Sequence, residues 1–160
     1  MKGLTRRQGM MRVALGAAMV SGAGRGWSAE KTLPTTDSLP DVLQTALQVK
    51  QPLVVMVSLH GCPFCKVVRE NYLVPLREKE GLHVVQIDMR DRRTIKDFAG
   101  NVQTQDELIR KWGIKIAPTV LFFGASGKEV AKRLNGAYLP DFYNSYLEEQ
   151  LSAARLAVAR

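Results

Sequence analysis

The chain is poor in the residues that ordinarily hold metals and cofactors. It has two cysteines and two histidines in 160 residues, so at most one internal disulfide bridge can form. No glycine-rich nucleotide fingerprint follows any apolar run, which removes flavin and nicotinamide chemistry built on that motif. No period of 20–50 residues recurs, which excludes a solenoid. Hydrophobic residues at 46% and charged residues at 24% exclude a disordered or collagen-like chain and fit about one globular domain. Acidic residues are missing from one place in particular. Residues 1–29 hold Lys2, Arg6, Arg7, Arg12 and Arg25 and no Asp or Glu. Of the +8 net charge, from 23 basic and 15 acidic groups, 18 basic and all 15 acidic groups therefore fall in the remaining 131 residues, a net of +3. That modest excess calls for no nucleic-acid partner.

The first 29 residues read as an export signal. Lys2, Arg6 and Arg7 form a positive start, Val13–Gly24 is an uncharged stretch of 12 residues, and Gly26-Trp27-Ser28-Ala29 supplies small residues for cleavage. Twelve residues are too few for a hydrocarbon core that needs about 20, so no stable membrane anchor is expected. Thr5-Arg6-Arg7-Gln8 is also similar to a twin-arginine signal, and the general secretory route remains open. The expectation is a leader over 1–29, a domain over 30–160, and a periplasmic location.

Within 30–160 the pattern predicts a mixed sheet covered by helices. A helix is expected from Ser38 as cap to near Lys50, with Pro40 in its first turn and Leu43, Ala46 and Leu47 at helical spacing. Leu53–Leu59 is a continuous apolar run suited to a strand buried on both faces. A helix from Pro63 is expected to run toward Leu73 before Pro75 kinks or interrupts it. His83–Asp88 and Thr119–Phe123 read as strands, and Lys128–Leu134 as a weaker antiparallel edge strand. The polar stretch Met89–Gln103 reads as a functional loop or an insertion. Thr104 with Glu107 forms a capping-box pattern before a helix closed by Gly113. A last helix is expected from Leu139 to about Ala154, with Tyr143, Leu147 and Leu151 in register.

Both cysteines lie where the first buried strand gives way to a helix, in Cys62-Pro63-Phe64-Cys65. Cys62 then sits at a helix N-terminus, where unsatisfied N–H groups and the helix dipole favour a thiolate. Cys65, one turn on, faces inward and keeps its proton longer. An exposed acidic thiol with a second thiol in disulfide reach is what thiol–disulfide exchange requires: attack, mixed disulfide, resolution.

At these residues the sequence resembles the thioredoxin superfamily, over roughly residues 40–152. Besides the cysteine pair, Trp112-Gly113-Ile114 followed by Ile116-Ala117-Pro118-Thr119 is similar to the family's second signature, and Gly136 before a final helix matches its layout. The resemblance implies a thioredoxin-like α/β fold, a cis Pro118 against the dithiol, Cys62 as nucleophile and Cys65 as resolving thiol. It also implies that Pro63, Phe64, Ala117 and Pro118 border substrate. Gly61-Cys62-Pro63-Phe64-Cys65-Lys66, the insertion after Asp88 and the Glu107-to-Thr119 run look like the exported thioredoxin-like proteins associated with sulfur-oxidation gene systems. Three departures stand out. Gly61 replaces the Trp usual before the first cysteine, Pro63-Phe64 replaces the Gly-Pro usual between the two, and Met56 replaces the buried Asp six residues before the first. His60 is then a candidate to assist, or a plain surface histidine.

Other readings of the same residues compete. Cys62, Cys65, His60 and His83 could ligate zinc, although His83 begins another strand and no second Cys-x-x-Cys exists. Haem attachment needs His where Lys66 stands. An inert bridge over four residues closes too small a loop to stabilise much. A non-catalytic binding module of the same fold and a disulfide oxidase remain alternatives. Arg90, Arg92 and Arg93 around Asp91 either guide an acidic partner or form a solvated loop, Phe64 either meets substrate or packs locally, and Trp112 packs in the core. The expectation is a monomeric reductase needing no metal or organic cofactor. It would act on protein or small disulfides and draw electrons from a membrane thiol carrier.

Overall fold

The computed structural model describes residues 31–137 and 140–160. The leader over 1–29 lies outside these residues, as does Leu139 at the expected start of the last helix. The elements run α1 Leu39–Gln48, β1 Leu53–Ser58, α2 Pro63–Val68, α3 Val74–Glu80, β2 Val84–Asp88, β3 Thr94–Lys96, β4 Val102–Thr104, α4 Gln105–Lys111, β5 Thr119–Phe123, β6 Leu134–Asn135 and α5 Pro140–Ala159. The main sheet has the order β2-β1-β5-β6. β1 is parallel to β2 and antiparallel to β5, and β6 is antiparallel to β5.

β1 carries the fold. All six of its residues are buried, and alternate side chains enter two separate cores. Val54 and Met56, with Val120 and Phe122 of β5, pack against Cys65, Val68 and Val74 and against Tyr143, Leu147 and Leu151 of α5. Leu53, Val55 and Val57 point the other way, into Leu39, Leu43 and Ala46 of α1 and Leu108 and Ile109 of α4. A continuous apolar run is thus the signature of a strand with helices on both faces.

Several local expectations are corrected. Pro75 does not end its helix. A π turn over Arg69–Leu73 joins α2 to α3, with the Val74 N–H reaching the Arg69 carbonyl, and Pro75 lies in the first turn of α3. The wider turn takes up the place where proline would otherwise break the hydrogen-bond ladder, so the helix continues. Ser38 does not cap α1 with its side chain; its own N–H donates to Thr36 Oγ1 at 3.0 Å. Lys128–Leu134 forms no full strand. Only Leu134–Asn135 pairs with β5, besides a single bridge between Phe123 and Glu129. The last helix runs on to Ala159.

The Met89–Gln103 stretch is a packed structure of its own. β3 and β4 pair as a hairpin around Asp97, which is buried. Its Oδ1 accepts the N–H groups of Ala99 (3.0 Å) and Asn101 (2.8 Å), and its Oδ2 accepts from Gln103 (2.9 Å) and the Lys111 ammonium (3.2 Å). Phe98 stacks on Trp112 at 6.2 Å and meets Phe123 at 4.7 Å, which fixes the hairpin to the core. Upstream, the chain around Pro34 lies along the free edge of β2, where the Pro34 carbonyl accepts the Gln86 N–H at 2.8 Å. The capping box at Thr104 and Glu107 forms as its spacing predicts, and Gly113 adopts φ +69° after α4.

Candidate active site

The site grows from the end of β1. After Ser58 the chain turns through Leu59, His60 and Gly61, and the turn needs φ +73° at Gly61, a conformation glycine adopts without penalty. The Cys62 N–H closes it on the Leu59 carbonyl at 3.1 Å. Cys62 thereby becomes the N-cap of α2, with extended φ/ψ, and its sulfur accepts the Cys65 N–H at 3.2 Å. Pro63 follows within the first helical turn, where its missing N–H costs nothing and its φ suits the helix. Cysteine here fills the role usually given to Ser or Asp.

The two sulfurs are placed unequally. Cys62 is half-buried, whereas Cys65 is 1% exposed. Burial pushes the Cys65 thiol up from about 9 to about 11, and the hydrogen bond with Cys62 and its charge push the same way. Hydrogen bonds from the Leu59 backbone and the Ser58 side chain oppose this. Cys65 is therefore a thiol at neutral pH. Both cysteines are free.

The facing wall comes from the loop before β5. Ala117–Pro118 is cis, and the Cys62 thiol lies 3.9 Å from the Ala117 carbonyl oxygen. The loop is anchored on both sides. Thr119, fully buried, donates to the Ile116 carbonyl at 2.7 Å, and the Pro118 carbonyl accepts the Gly136 N–H at 2.7 Å. Phe64 (58% exposed), Val67 and Ile116 leave apolar surface on the elements that carry Cys62 and Pro118. An exposed aromatic between two site cysteines offers apolar contact to an incoming chain.

An open cleft of about 910 Å³ runs from Cys62 to the loop after β2, lined among others by Ser58, His60, Lys66, Asp88, Arg90 and Arg93. Arg93 holds Asp91 with contacts of 2.8 and 2.5 Å, while Arg90 lines the cleft and Arg92 is exposed. Asp88 ends β2, its N–H donating to Gln105 Oε1 at 2.8 Å. Trp112 packs on Phe98 and Phe123. His60 is exposed at the rim, and Met56 is fully buried among apolar side chains. Among the described residues, no three His, Cys, Asp or Glu side chains gather as a metal ion would require.

The structure brings Cys62, Pro63, Phe64, Cys65, Ala117 and Pro118 to one end of the sheet.

This arrangement of sheet and helices is that of a known family. The thioredoxin-like domain family matches residues 39–151, and the chain belongs to it. Spinach chloroplast thioredoxin f aligns over 77% of this chain and 96% of its own, at 19% identity and a TM-score of 0.50. Thioredoxin of Fasciola hepatica covers 75% and 97%, at 19% identity and a TM-score of 0.49. A thioredoxin-fold protein from Helicobacter pylori covers 83% and 94%, at 15% identity and a TM-score of 0.49. At such identities the likeness is one of fold. No curated protein sequence matches the chain.

Proposed function

We propose that this protein is an exported thiol–disulfide oxidoreductase that reduces disulfides in a bacterial periplasm. The unequal pair carries the reading: a capping, half-buried Cys62 beside the open cleft and a buried, protonated Cys65. The Cys62 thiolate attacks one sulfur of a substrate disulfide. The substrate's S–S bond breaks, and its other sulfur leaves with the electron pair and takes a proton. Cys65 then loses its proton and attacks the Cys62 sulfur, releasing the second substrate thiolate. Two electrons pass to substrate and the protein is left with a Cys62–Cys65 disulfide, which an external dithiol must reduce. Ala117 and Pro118 border the substrate chain, whose extended backbone can pair along the loop; Pro63 and Phe64 meet it from the other side.

Further parts of the reading rest on sequence. The basic start and short apolar stretch within 1–29 support export, and the motif around Gly61–Lys66 supports a place among proteins associated with sulfur oxidation. The reductase direction predicts a dithiol potential near −270 mV rather than near −120 mV. The physiological donor is then a membrane thiol carrier, the substrates are protein or small disulfides, and the protein works as a monomer without metal or organic cofactor.

The test is turnover of a neutral disulfide by the purified protein. Cys62→Ser should abolish it, and Cys65→Ser should accumulate mixed disulfides whose partners can be identified. Turnover that survives Cys62→Ser would refute the mechanism, and a potential near −120 mV would reverse the direction. N-terminal sequencing of protein recovered from the periplasm tests the leader.

A further inference from the structure

The cleft beside Cys62 carries charge that the exchange reaction does not use. Four cations line it, Lys66, Arg69, Arg90 and Arg93, against two carboxylates, Asp88 and Asp91. This excess of two positive charges is local, since residues 30–160 carry only +3 altogether. Both carboxylates are taken up within the wall. Asp91 is held by Arg93 at 2.8 and 2.5 Å, and Asp88 accepts from Gln86 Nε2 at 2.9 Å and lies 3.9 Å from Arg93. Arg69 is tied there too, its guanidinium donating to the Lys31 carbonyl at 3.2 Å and to Gln86 Oε1 at 3.4 Å. Lys66 and Arg90 differ. Both are exposed, and among the described residues neither makes an ion pair.

The backbone holds these two cations beside the reactive sulfur. The Lys66 N–H donates to the Cys62 carbonyl at 3.2 Å, so Lys66 stands one helical turn on, on the same face of α2 as Cys62. Arg90 belongs to the loop after β2, which is fastened to the end of β1 where the Met89 N–H donates to the Ser58 carbonyl at 2.8 Å. The Arg90 N–H donates to Asp106 Oδ1 at 2.9 Å, while the ion pair of that carboxylate goes to Arg110. Phe64 and Ile116, which do not line the cleft, leave apolar surface on the elements that carry Cys62 and Pro118. Cys62 thus has a cationic approach that is distinct from its apolar one.

We propose that the cleft selects disulfides whose cysteine is flanked by carboxylate side chains, an acidic peptide segment lying along Lys66 and Arg90 while Cys62 attacks. This rests on the oxidoreductase reading above and names its substrate class. An open cleft of about 910 Å³ admits several residues of a passing chain. Exposed charges of this kind act chiefly on encounter: they raise the rate of association and lose their effect as salt screens them.

The test uses the full reduced chain and three synthetic peptides of equal length. Each carries one cysteine as its 2-pyridyl disulfide, flanked by Glu, by Gln or by Lys. The Cys62 thiolate forms a bond to the peptide sulfur, the bond to the pyridyl sulfur breaks, and the electron pair leaves with it as pyridine-2-thione once a proton is taken up. The rate of its release should favour the Glu peptide over the Gln peptide roughly tenfold at low salt, with the Lys peptide slowest. That ratio should shrink as salt rises to about 0.15 M. Lys66→Gln with Arg90→Gln should bring the ratio close to one, and Lys66→Glu with Arg90→Glu should invert it in favour of the Lys peptide. Lys128→Gln with Lys132→Gln removes the same charge from exposed positions outside the cleft and should keep the preference. Equal rates for the three peptides, a ratio that survives loss of Lys66 and Arg90, or an equal fall in the Lys128 and Lys132 variant would overturn the proposal. Absence of Cys62-dependent release from every peptide would instead refute the oxidoreductase reading itself.

Discussion

The Cys62 sulfur accepts the backbone N–H of Cys65 at 3.2 Å, so the residue that caps the helix is also the one placed to attack. The two roles can be separated by substitution. Cys62→Ser keeps a capping oxygen and should retain stability within about 0.5 kcal/mol, whereas Cys62→Ala should lose about 1 kcal/mol. Both should abolish disulfide turnover. Urea unfolding beside an activity assay distinguishes cap from nucleophile; equal stability of the two variants would mean that the cap contributes nothing.

Cys65 should resist modification until strongly alkaline pH. Burial first, and then the hydrogen bond and charge of Cys62, raise its thiol to about 11. Iodoacetamide at pH near 8 should therefore label Cys62 alone, as judged by mass spectrometry, with Cys65 following as the pH nears 11. Stability has a corresponding sign. An unfolded cysteine ionises at about 8.5, so between that value and 11 the unfolded chain holds fewer protons than the native one, and the reduced protein should lose stability as pH rises. Cys65→Ala should flatten that alkaline limb.

Asp97 should govern the acid limb. Burial alone would raise its carboxyl, but the hydrogen bonds from Asn101, Lys111 and Ala99 outweigh it and hold the group below the usual carboxylate range. The stabilisation is then fully present above the ordinary value of about 3.9 and fades as pH falls through the lower native value. Asp97→Asn should cost about 1–3 kcal/mol at neutral pH and weaken the acid dependence. Denaturant titrations at neutral and acid pH would measure both.

Two glycines with similar backbones should behave differently. Gly100 has φ +87° and open space where a Cβ would stand, while at Gly127, φ +65°, that atom would meet Phe98 Cγ at 2.3 Å. Gly100→Ala should cost about 1–2 kcal/mol from conformation alone. Gly127→Ala should cost about 1–3 kcal/mol beyond that, since the aromatic group must move. Melting temperatures of the two variants give the comparison, and equal losses would show that the Phe98 packing yields freely.

Much of this architecture could be read from residue pattern because the pattern follows burial. Leu53–Ser58 is apolar on both faces because both faces are covered, and Thr119–Phe123 repeats the same logic one strand away. The Thr104–Glu107 cap was legible because its chemistry is local. What escaped depends on backbone turns and polar contacts that no apolar pattern announces. The π turn that accommodates Pro75 uses an unusual i−5 bond that no composition announces. The Met89–Gln103 stretch reads as a functional loop or an insertion because its organising contacts are polar: Asp97 gathers its partners from Ala99, Asn101, Gln103 and Lys111. Cys62 and Cys65 stand out by rarity and by their place at the end of a buried strand.

β1 has a strand on either edge and a helical layer over each face. Its amides should therefore exchange with deuterium only when the whole domain opens. The turn that leads to the two sulfurs begins after the last residue of that strand. The reactive pair rides on the part of the molecule least able to breathe, so on heating its chemistry should fail together with the fold rather than ahead of it.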